Sequence, residues 1–224
     1  MTKSEVRARI KEIGIIPSLR LYSAEDAMFA AEAVASGGIP IVEVTMTVPD
    51  GTKVIQELTK RNPDMIVGAG TLFDAGMAQR CIDAGASFLT STGLDLEILE
   101  LGLKRDVVVF PGALTPSEVM TAWKAGSDFV KIFPCSQVGG ASYIKALKGP
   151  FAQVPLIASG GVNQQTIAEF ILAGAEAVGI GANLIQVEAI DRREPGWIKE
   201  LAHRYLGLLN QARGQRRPNT HVPN

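Results

Sequence analysis

The stretch IIPSLRLYSAEDAMFAAEAVASGGIPIVEVTM, residues 15–46, contains the unit from which the fold of the whole chain can be predicted. Two short apolar runs, Ile15–Leu19 and Ile41–Met46, flank a segment in which apolar residues return every three or four positions. This spacing predicts a helix that ends at Gly37 between two buried strands. Because parallel strands are joined by helices of this length, the stretch predicts a βαβ unit.

The same unit recurs as far as residue 181. The intervening helical segments again end on glycine, at Gly85, Gly126 and Gly174. Eight apolar runs in a chain of 224 residues favour the α/β class and a single (β/α)8 TIM barrel, with an open, doubly wound sheet as the alternative. The six remaining runs are Met65–Ala69, Phe88–Thr90, Val107–Phe110, Phe129–Phe133, Leu156–Ala158 and Ala177–Ile180.

The two ends of the chain differ from its middle. Residues 1–13 predict a short charged N-terminal helix that plugs or flanks the barrel, and residues 196–212 predict a final helix. We therefore expect one domain over residues 1–212. Residues 213–224, which are basic and contain few apolar side chains, predict a disordered, solvated tail, with a nucleic-acid-binding arm as the alternative.

Composition excludes several classes of function. The 22 basic and 23 acidic residues nearly cancel, which argues against a nucleic-acid or membrane-surface role driven by overall charge. We find no membrane span and no signal peptide, and the two cysteines suit the reducing cytoplasm. The only histidines, His203 and His221, lie near the C-terminus, so a histidine-based zinc site or a Ser-His-Asp triad is not expected.

Two charged residues stand inside apolar runs, Glu43 in the second and Lys131 in the sixth. Strands of equal parity in a barrel direct side chains into the same interior layers, so the two residues can meet. Desolvation of the lysine favours its neutral, nucleophilic amine, and a carboxylate across the cavity can move protons. The pair predicts Schiff-base chemistry on a carbonyl substrate, with a purely structural ion pair as the alternative.

Two glycine-rich segments follow the last two predicted strands, SGGVNQQT at 159–166 and GIGAN at 179–183. The loops after strands 7 and 8 form the usual phosphate site of barrels, and glycine lets backbone N–H groups approach an anion. We predict that they bind a phosphate or a carboxylate. The alternative is that these glycines serve turns only.

Six segments, GGIPIVEVTMTVP, IVGAGTL, FPGALTPSE, VKIFPCS, SGGV and GIGANL, occur in an order and spacing that resemble the 2-keto-3-deoxy-6-phosphogluconate (KDPG) aldolases, including the 4-hydroxy-2-oxoglutarate aldolases. The resemblance extends from about residue 10 to residue 210. It implies a class I aldolase on a (β/α)8 barrel, homotrimeric and without a metal or other cofactor. Such an enzyme cleaves a small 2-keto-4-hydroxy acid to pyruvate and an aldehyde.

The resemblance also implies roles for individual residues. Lys131 resembles the Schiff-base lysine and Glu43 the general acid and base. Thr71 resembles a contact to the pyruvate carboxylate, and Phe133 a ring beside the substrate. Ser159, Gly160 and Gly161 resemble the phosphate-binding edge. Gly181, Ala182 and Asn183 occupy the last loop, where the family often has a serine.

Two departures from the family pattern affect substrate binding. Thr47 stands where E-V-T-L-R-T has an anion-binding arginine, and Thr92 replaces the proline of S-P-G. We predict that Arg20, at the end of strand 1, supplies the missing cation, because a guanidinium can bind a carboxylate through two hydrogen bonds. The alternative is an exposed loop arginine.

Two other functions are compatible with the same sequence. A phosphate-binding barrel isomerase or synthase would share the glycine loops but would not require Lys131. A non-catalytic barrel subunit could retain the fold after its anion site changed. The residues at positions 20, 47, 159–161 and 182–183, which would distinguish phosphorylated from unphosphorylated 2-keto acids, depart in most cases from the familiar pattern.

Overall fold

The computed structural model of the protein describes residues 1–215. Within them, the strands are β1 Ile15–Leu19, β2 Ile41–Thr45, β3 Ile66–Leu72, β4 Phe88–Ser91, β5 Val108–Val109, β6 Gly112–Ala113, β7 Val130–Ile132, β8 Leu156–Ser159 and β9 Ala177–Ile180. The helices are α1 Lys3–Ile13, α2 Ala24–Ser36, α3 Gly51–Arg61, α4 Ala75–Asp83, α5 Leu96–Lys104, α6 Pro116–Lys124, α7 Ala141–Lys148, α8 Ile167–Leu172, α9 Val187–Asp191 and α10 Pro195–Gln215.

All the strand pairs are parallel, and the strands follow the order β5-β4-β3-β2-β1-β9-β8-β7-β6. The two outermost strands, β5 and β6, are consecutive in the chain and separated only by Phe110 and Pro111. This topology confirms the α/β class and is consistent with a (β/α)8-like barrel. Every strand begins within one residue of its predicted position except β6, which has no counterpart among the predicted runs.

The predicted fifth strand, Val107–Phe110, is interrupted rather than continuous. Phe110 donates its backbone N–H to Leu89 of β4, whereas the carbonyl of Pro111 accepts from Lys131 of β7. The carbonyl of Val109, before the proline, already accepts from the backbone N–H of Asp128, just before β7. The segment therefore lies between β4 and β7, and Pro111, which has no N–H to donate, interrupts it.

Helix α1 covers the N-terminal ends of the strands, as expected of a helix that plugs or flanks the barrel. It buries Val6, Ile10 and Ile13. Lys3 Nζ lies 3.1 Å from Asp128 Oδ2, which also accepts a hydrogen bond from the backbone of Val109. The helix therefore leaves the opposite, carboxyl ends of the strands for a ligand site.

The final helix extends further than the sequence predicts. Arg213 belongs to α10, and its guanidinium donates hydrogen bonds to the carbonyls of Lys11 and Glu12 at the end of α1. The prediction of disorder is therefore wrong for residues 213–215, because unpaired helix-end carbonyls hold a basic side chain that the sequence suggests is solvated. The remainder of the predicted tail, 216–224, lies outside the described residues. None of the helices within 1–215 is long and apolar enough to span a membrane.

Candidate active site

A cavity of about 340 Å³ lies at the carboxyl ends of the strands and contains all but one of the predicted site residues. The strand ends contribute Arg20, Glu43, Thr71, Thr92, Lys131 and Phe133. The glycine loops contribute Ser159, Gly160, Gly161, Gly181, Ala182 and Asn183. A second groove, of about 530 Å³, lies beside α1 at the other end of the sheet, away from Glu43 and Lys131.

The cavity contains the two charges that the sequence places inside strands. Lys131 Nζ on β7 lies 3.5 Å from Glu43 Oε2 on β2, and the two residues are only 7% and 3% exposed. The ring centroid of Phe133 is 5.8 Å from the same Nζ. The prediction that the two side chains meet is confirmed. Both also line the cavity, which gives the pair access to a ligand.

The Glu43 carboxylate is held by two neighbouring strands. Ser18 Oγ on β1 donates a hydrogen bond of 2.9 Å to Glu43 Oε2. On the β3 side, a Cβ on Gly70 would overlap Glu43 Oε1, so the absence of a side chain at position 70 makes room for the carboxylate. Position 70 therefore requires glycine for space rather than for backbone conformation.

Thr71, next to Gly70, has an unusual backbone. Its φ of 58° lies in the left-handed region, which is rare for a β-branched residue, and the β3–β4 pairing shifts between Ala69 and Leu72. Such a conformation costs about 1–3 kcal/mol and is concentrated at functional sites. Thr71 lines the cavity where this irregularity ends the regular pairing of β3.

Thr47 is the predicted site residue that does not line the cavity. Its hydroxyl lies 2.7 Å from that of Thr45, and Thr45 in turn donates to the carbonyl of Leu19. A hydroxyl has one proton, so Thr47 must be the donor in its bond with Thr45. Thr47 therefore donates its hydroxyl proton to Thr45 on β2. Its placement does not support an anion-binding role.

Arg20 lies exposed at the end of β1, between β2 and β9 in the sheet order. Among the residues that line the cavity, only Arg20 and Lys131 are basic. Within residues 1–215, Arg20 forms no hydrogen bond or ion pair. Its guanidinium is therefore available to a ligand.

The loop after β8 directs its carbonyls away from the cavity. The carbonyls of Gly160, Gly161 and Val162 accept from Ser136 N, Thr166 Oγ1 and Asn183 Nδ2, at 3.1, 2.9 and 2.9 Å. Gly160 and Gly161 have φ of 86° and 85°, a conformation that favours glycine. No described backbone carbonyl accepts from the N–H of Gly161 or Val162, so these donors remain available to an anion.

The two cysteines are buried and do not resemble catalytic thiols. Burial raises the pKa of Cys135 to about 12 and that of Cys81 to about 11. Cys135 follows Pro134 behind the cavity and its Sγ contacts the carbonyl of Gly140. Residues 1–215 also contain no group of three or more His, Cys, Asp or Glu that could hold a metal ion.

Three residues that line the cavity, Ser18, Ile185 and Val187, lie outside the predicted site, whereas Val162 and Gly179 lie within the two predicted glycine-rich segments. Ser18 had a detectable signal, because it lies two residues before Arg20 and alternate residues of a strand share a face. Ile185 and Val187 follow β9 and have no distinctive residue type.

Comparisons with known proteins agree with this geometry. The family model described as KDPG and KHG aldolase matches residues 6–201. The 2-dehydro-3-deoxy-phosphogluconate aldolase of Pseudomonas aeruginosa is 29% identical over 197 residues, covering 88% of this chain and 89% of that protein. The KHG/KDPG aldolase of Escherichia coli (strain K12) is 29% identical over 189 residues, covering 84% and 88%.

Among solved structures, the KDPG aldolase from Legionella pneumophila superimposes with a TM-score of 0.82 at 33% identity, covering 88% of this chain and 96% of that one. That structure holds pyruvate captured as a covalent carbinolamine intermediate. Fold and sequence similarity thus agree on the class of protein, an aldolase, which is a lyase. Within that class, the chain belongs to the KDPG and KHG aldolase family.

We predict that Gly70→Ala lowers aldolase activity at least about 100-fold, because the new methyl group displaces the Glu43 carboxylate, the predicted general acid and base, and general acid–base catalysis contributes factors of this size. The matched control is Gly196→Ala on α10, where a Cβ meets no atom within 4 Å. Steady-state kinetics and thermal melting of both variants are the measurement. A Gly70→Ala variant with more than half of the wild-type activity would contradict the role of this gap.

We predict that neither cysteine reacts with iodoacetamide at pH 8 in the folded protein and that both react in denaturant. An unburied thiol has a pKa of about 9, so as the pH rises above 9 the unfolded chain loses these protons before the folded one does. The free energy of unfolding is therefore expected to fall between about pH 9 and 12. Peptide mass spectrometry locates the label. Rapid labelling of Cys135 in the folded protein would contradict this prediction.

Proposed function

We propose that the chain is a class I aldolase on a closed (β/α)8 barrel that cleaves a 2-keto-4-hydroxy acid, either KDPG or 4-hydroxy-2-oxoglutarate, to pyruvate and an aldehyde. The observation that carries the proposal is the Lys131 amine inside the cavity, 3.5 Å from the Glu43 carboxylate. The covalent pyruvate adduct of the Legionella pneumophila relative supports it, because a carbinolamine requires an amine nucleophile.

The first half of the cycle forms the imine. Lys131 transfers a proton to Glu43, and the resulting neutral amine attacks the C2 carbonyl of the substrate. One proton moves from the attacking nitrogen to the carbinolamine oxygen and Glu43 returns the proton that it took, so the oxygen leaves as water and a protonated imine remains on Lys131. The distance between the two side chains supports direct transfer after a small rotation, or transfer through one water molecule.

The second half cleaves the carbon–carbon bond. Glu43, now ionised, removes the C4 hydroxyl proton, the C3–C4 bond breaks, and its electron pair moves into the protonated imine to give an enamine. The aldehyde leaves. Protonation of the enamine at C3 and hydrolysis of the imine then release pyruvate and restore the free amine of Lys131.

The remaining cavity wall is suited to two anionic groups. Arg20 can bind the carboxylate beside the keto group through two hydrogen bonds, and Thr71 lines the same cavity. The free N–H groups of Gly161 and Val162 suit a phosphate or a second carboxylate at the far end of the substrate. Ser159 and the loop from Gly181 to Asn183 surround that end.

Borohydride reduction in the presence of pyruvate tests the covalent step. We predict a stable adduct on Lys131, located by peptide mass spectrometry, and none in Lys131→Ala. Lys124→Ala, at the end of α6 away from the cavity, is the control that should retain the adduct. A wild-type protein without an adduct, but with intact phosphosugar binding, would favour an isomerase or synthase. Pyruvate release from a panel of 2-keto-4-hydroxy acids then identifies the substrate.

We predict that Arg20→Ala weakens pyruvate binding about 10- to 100-fold, the effect expected when a charged hydrogen-bonding partner is removed. Arg20→Lys should restore only part of the affinity, because an ammonium lacks the two parallel donors of guanidinium. Arg61→Ala on α3 serves as the control for loss of an exposed arginine. Inhibition of the aldolase assay by pyruvate gives the affinities. An unchanged pyruvate affinity in Arg20→Ala would contradict the role of Arg20 in binding the carboxylate.

We further propose a homotrimer that works in the cytoplasm on this small-molecule substrate, with no cofactor and no nucleic-acid partner. Sedimentation equilibrium of the full chain tests the oligomeric state. A stable trimer without pyruvate release from any substrate of the panel would instead indicate a subunit that has lost turnover.

A further inference from the structure

Ser18 is the cavity residue whose side chain contacts the proposed acid–base group directly. It lies on β1 with its Cα paired to that of Glu43 on β2, and its Oγ is 2.9 Å from Glu43 Oε2. The same Oε2 faces Lys131 Nζ. One carboxylate oxygen therefore contacts both the hydroxyl and the amine.

The surroundings of Ser18 do not otherwise require a hydroxyl. Its neighbours on β1, Pro17 and Leu19, are buried and apolar, and strands of a parallel sheet favour branched apolar side chains. Ser18 Oγ has one hydrogen bond to the rest of the described chain, the bond to Glu43. The hydroxyl thus stands at the one position of β1 that reaches the carboxylate.

We propose that Ser18 is a positioning residue that holds the Glu43 carboxylate in the orientation needed for proton transfer, a role that rests on the proposed Schiff-base function. A free glutamate side chain rotates about three bonds. Ser18 bonds the Glu43 carboxylate on one side, and on the other side the carboxylate lies close against Gly70. Preorganisation of this kind lowers the barrier of each step that uses the carboxylate.

A hydroxyl can serve both protonation states of its partner. When Glu43 is ionised, Ser18 donates its proton to Oε2; when Oε2 carries a proton, the hydroxyl can rotate and accept it. Ser18 therefore stays bonded to Glu43 while the proton moves.

The test compares Ser18→Thr with Ser18→Val, which have the same shape and differ in one hydroxyl. We expect Ser18→Val to lower kcat about 10- to 100-fold with a smaller effect on KM, the loss typical of a hydrogen bond to a charged group. Ser18→Thr should retain kcat within about threefold. Ser18→Ala gives the same comparison if the branched side chains impair folding.

Two results would overturn this role. Wild-type kcat in both Ser18→Thr and Ser18→Val would mean that the hydroxyl does not act on Glu43. Equal losses of kcat in both variants, with lowered melting temperatures, would mean that Ser18 only packs. Borohydride trapping of pyruvate on wild-type Lys131 separates these results from failure of the proposed function: without that adduct, both proposals fall.

Discussion

Two opposite charges share a largely apolar interior, and the site is built around them. An isolated ionised group in such a place would cost several kcal/mol or more, so Glu43 and Lys131 depend on each other. They come from β2 and β7, which belong to different parts of the chain. Ser18 and Gly70 supply a donor and a space on either side of the carboxylate. The parallel sheet thus positions in three dimensions a pair that neither strand could support alone.

The glycine loops have a different proposed role, the binding of an anion by an uncharged backbone. A peptide unit offers a donor and an acceptor, and an anion tolerates only the donor. Here the three carbonyls from Gly160 to Val162 are occupied by neighbouring donors, which leaves N–H groups for the ligand. Asn183 joins the two loops through its bond to Val162. The loop after β9 therefore contributes through support as well as through the cavity wall that it forms.

Much of this arrangement is readable in the sequence, and the exceptions have physical causes. Each apolar run became a strand because burial on both faces demands continuous apolar residues. The break at Pro111 was missed because the loss of one backbone donor leaves no trace in a hydrophobic pattern. Thr47 was assigned by its position in a motif, yet the proton of its hydroxyl is used by Thr45. Arg213 was assigned to a solvated tail because basic residues there have no local partner; its partners lie about 200 residues away, on α1.

The sequence by itself determined the α/β class, the family resemblance and the identity of the two unusual charges, because each depends on local residue type and spacing. Only the tertiary structure decided that Glu43 and Lys131 are in contact, that Arg20 faces the cavity without a partner, and that Ser18 bonds the carboxylate. These facts depend on how strands distant in sequence align in register. A displacement of one residue in that register would direct the same side chains to the other face of the sheet.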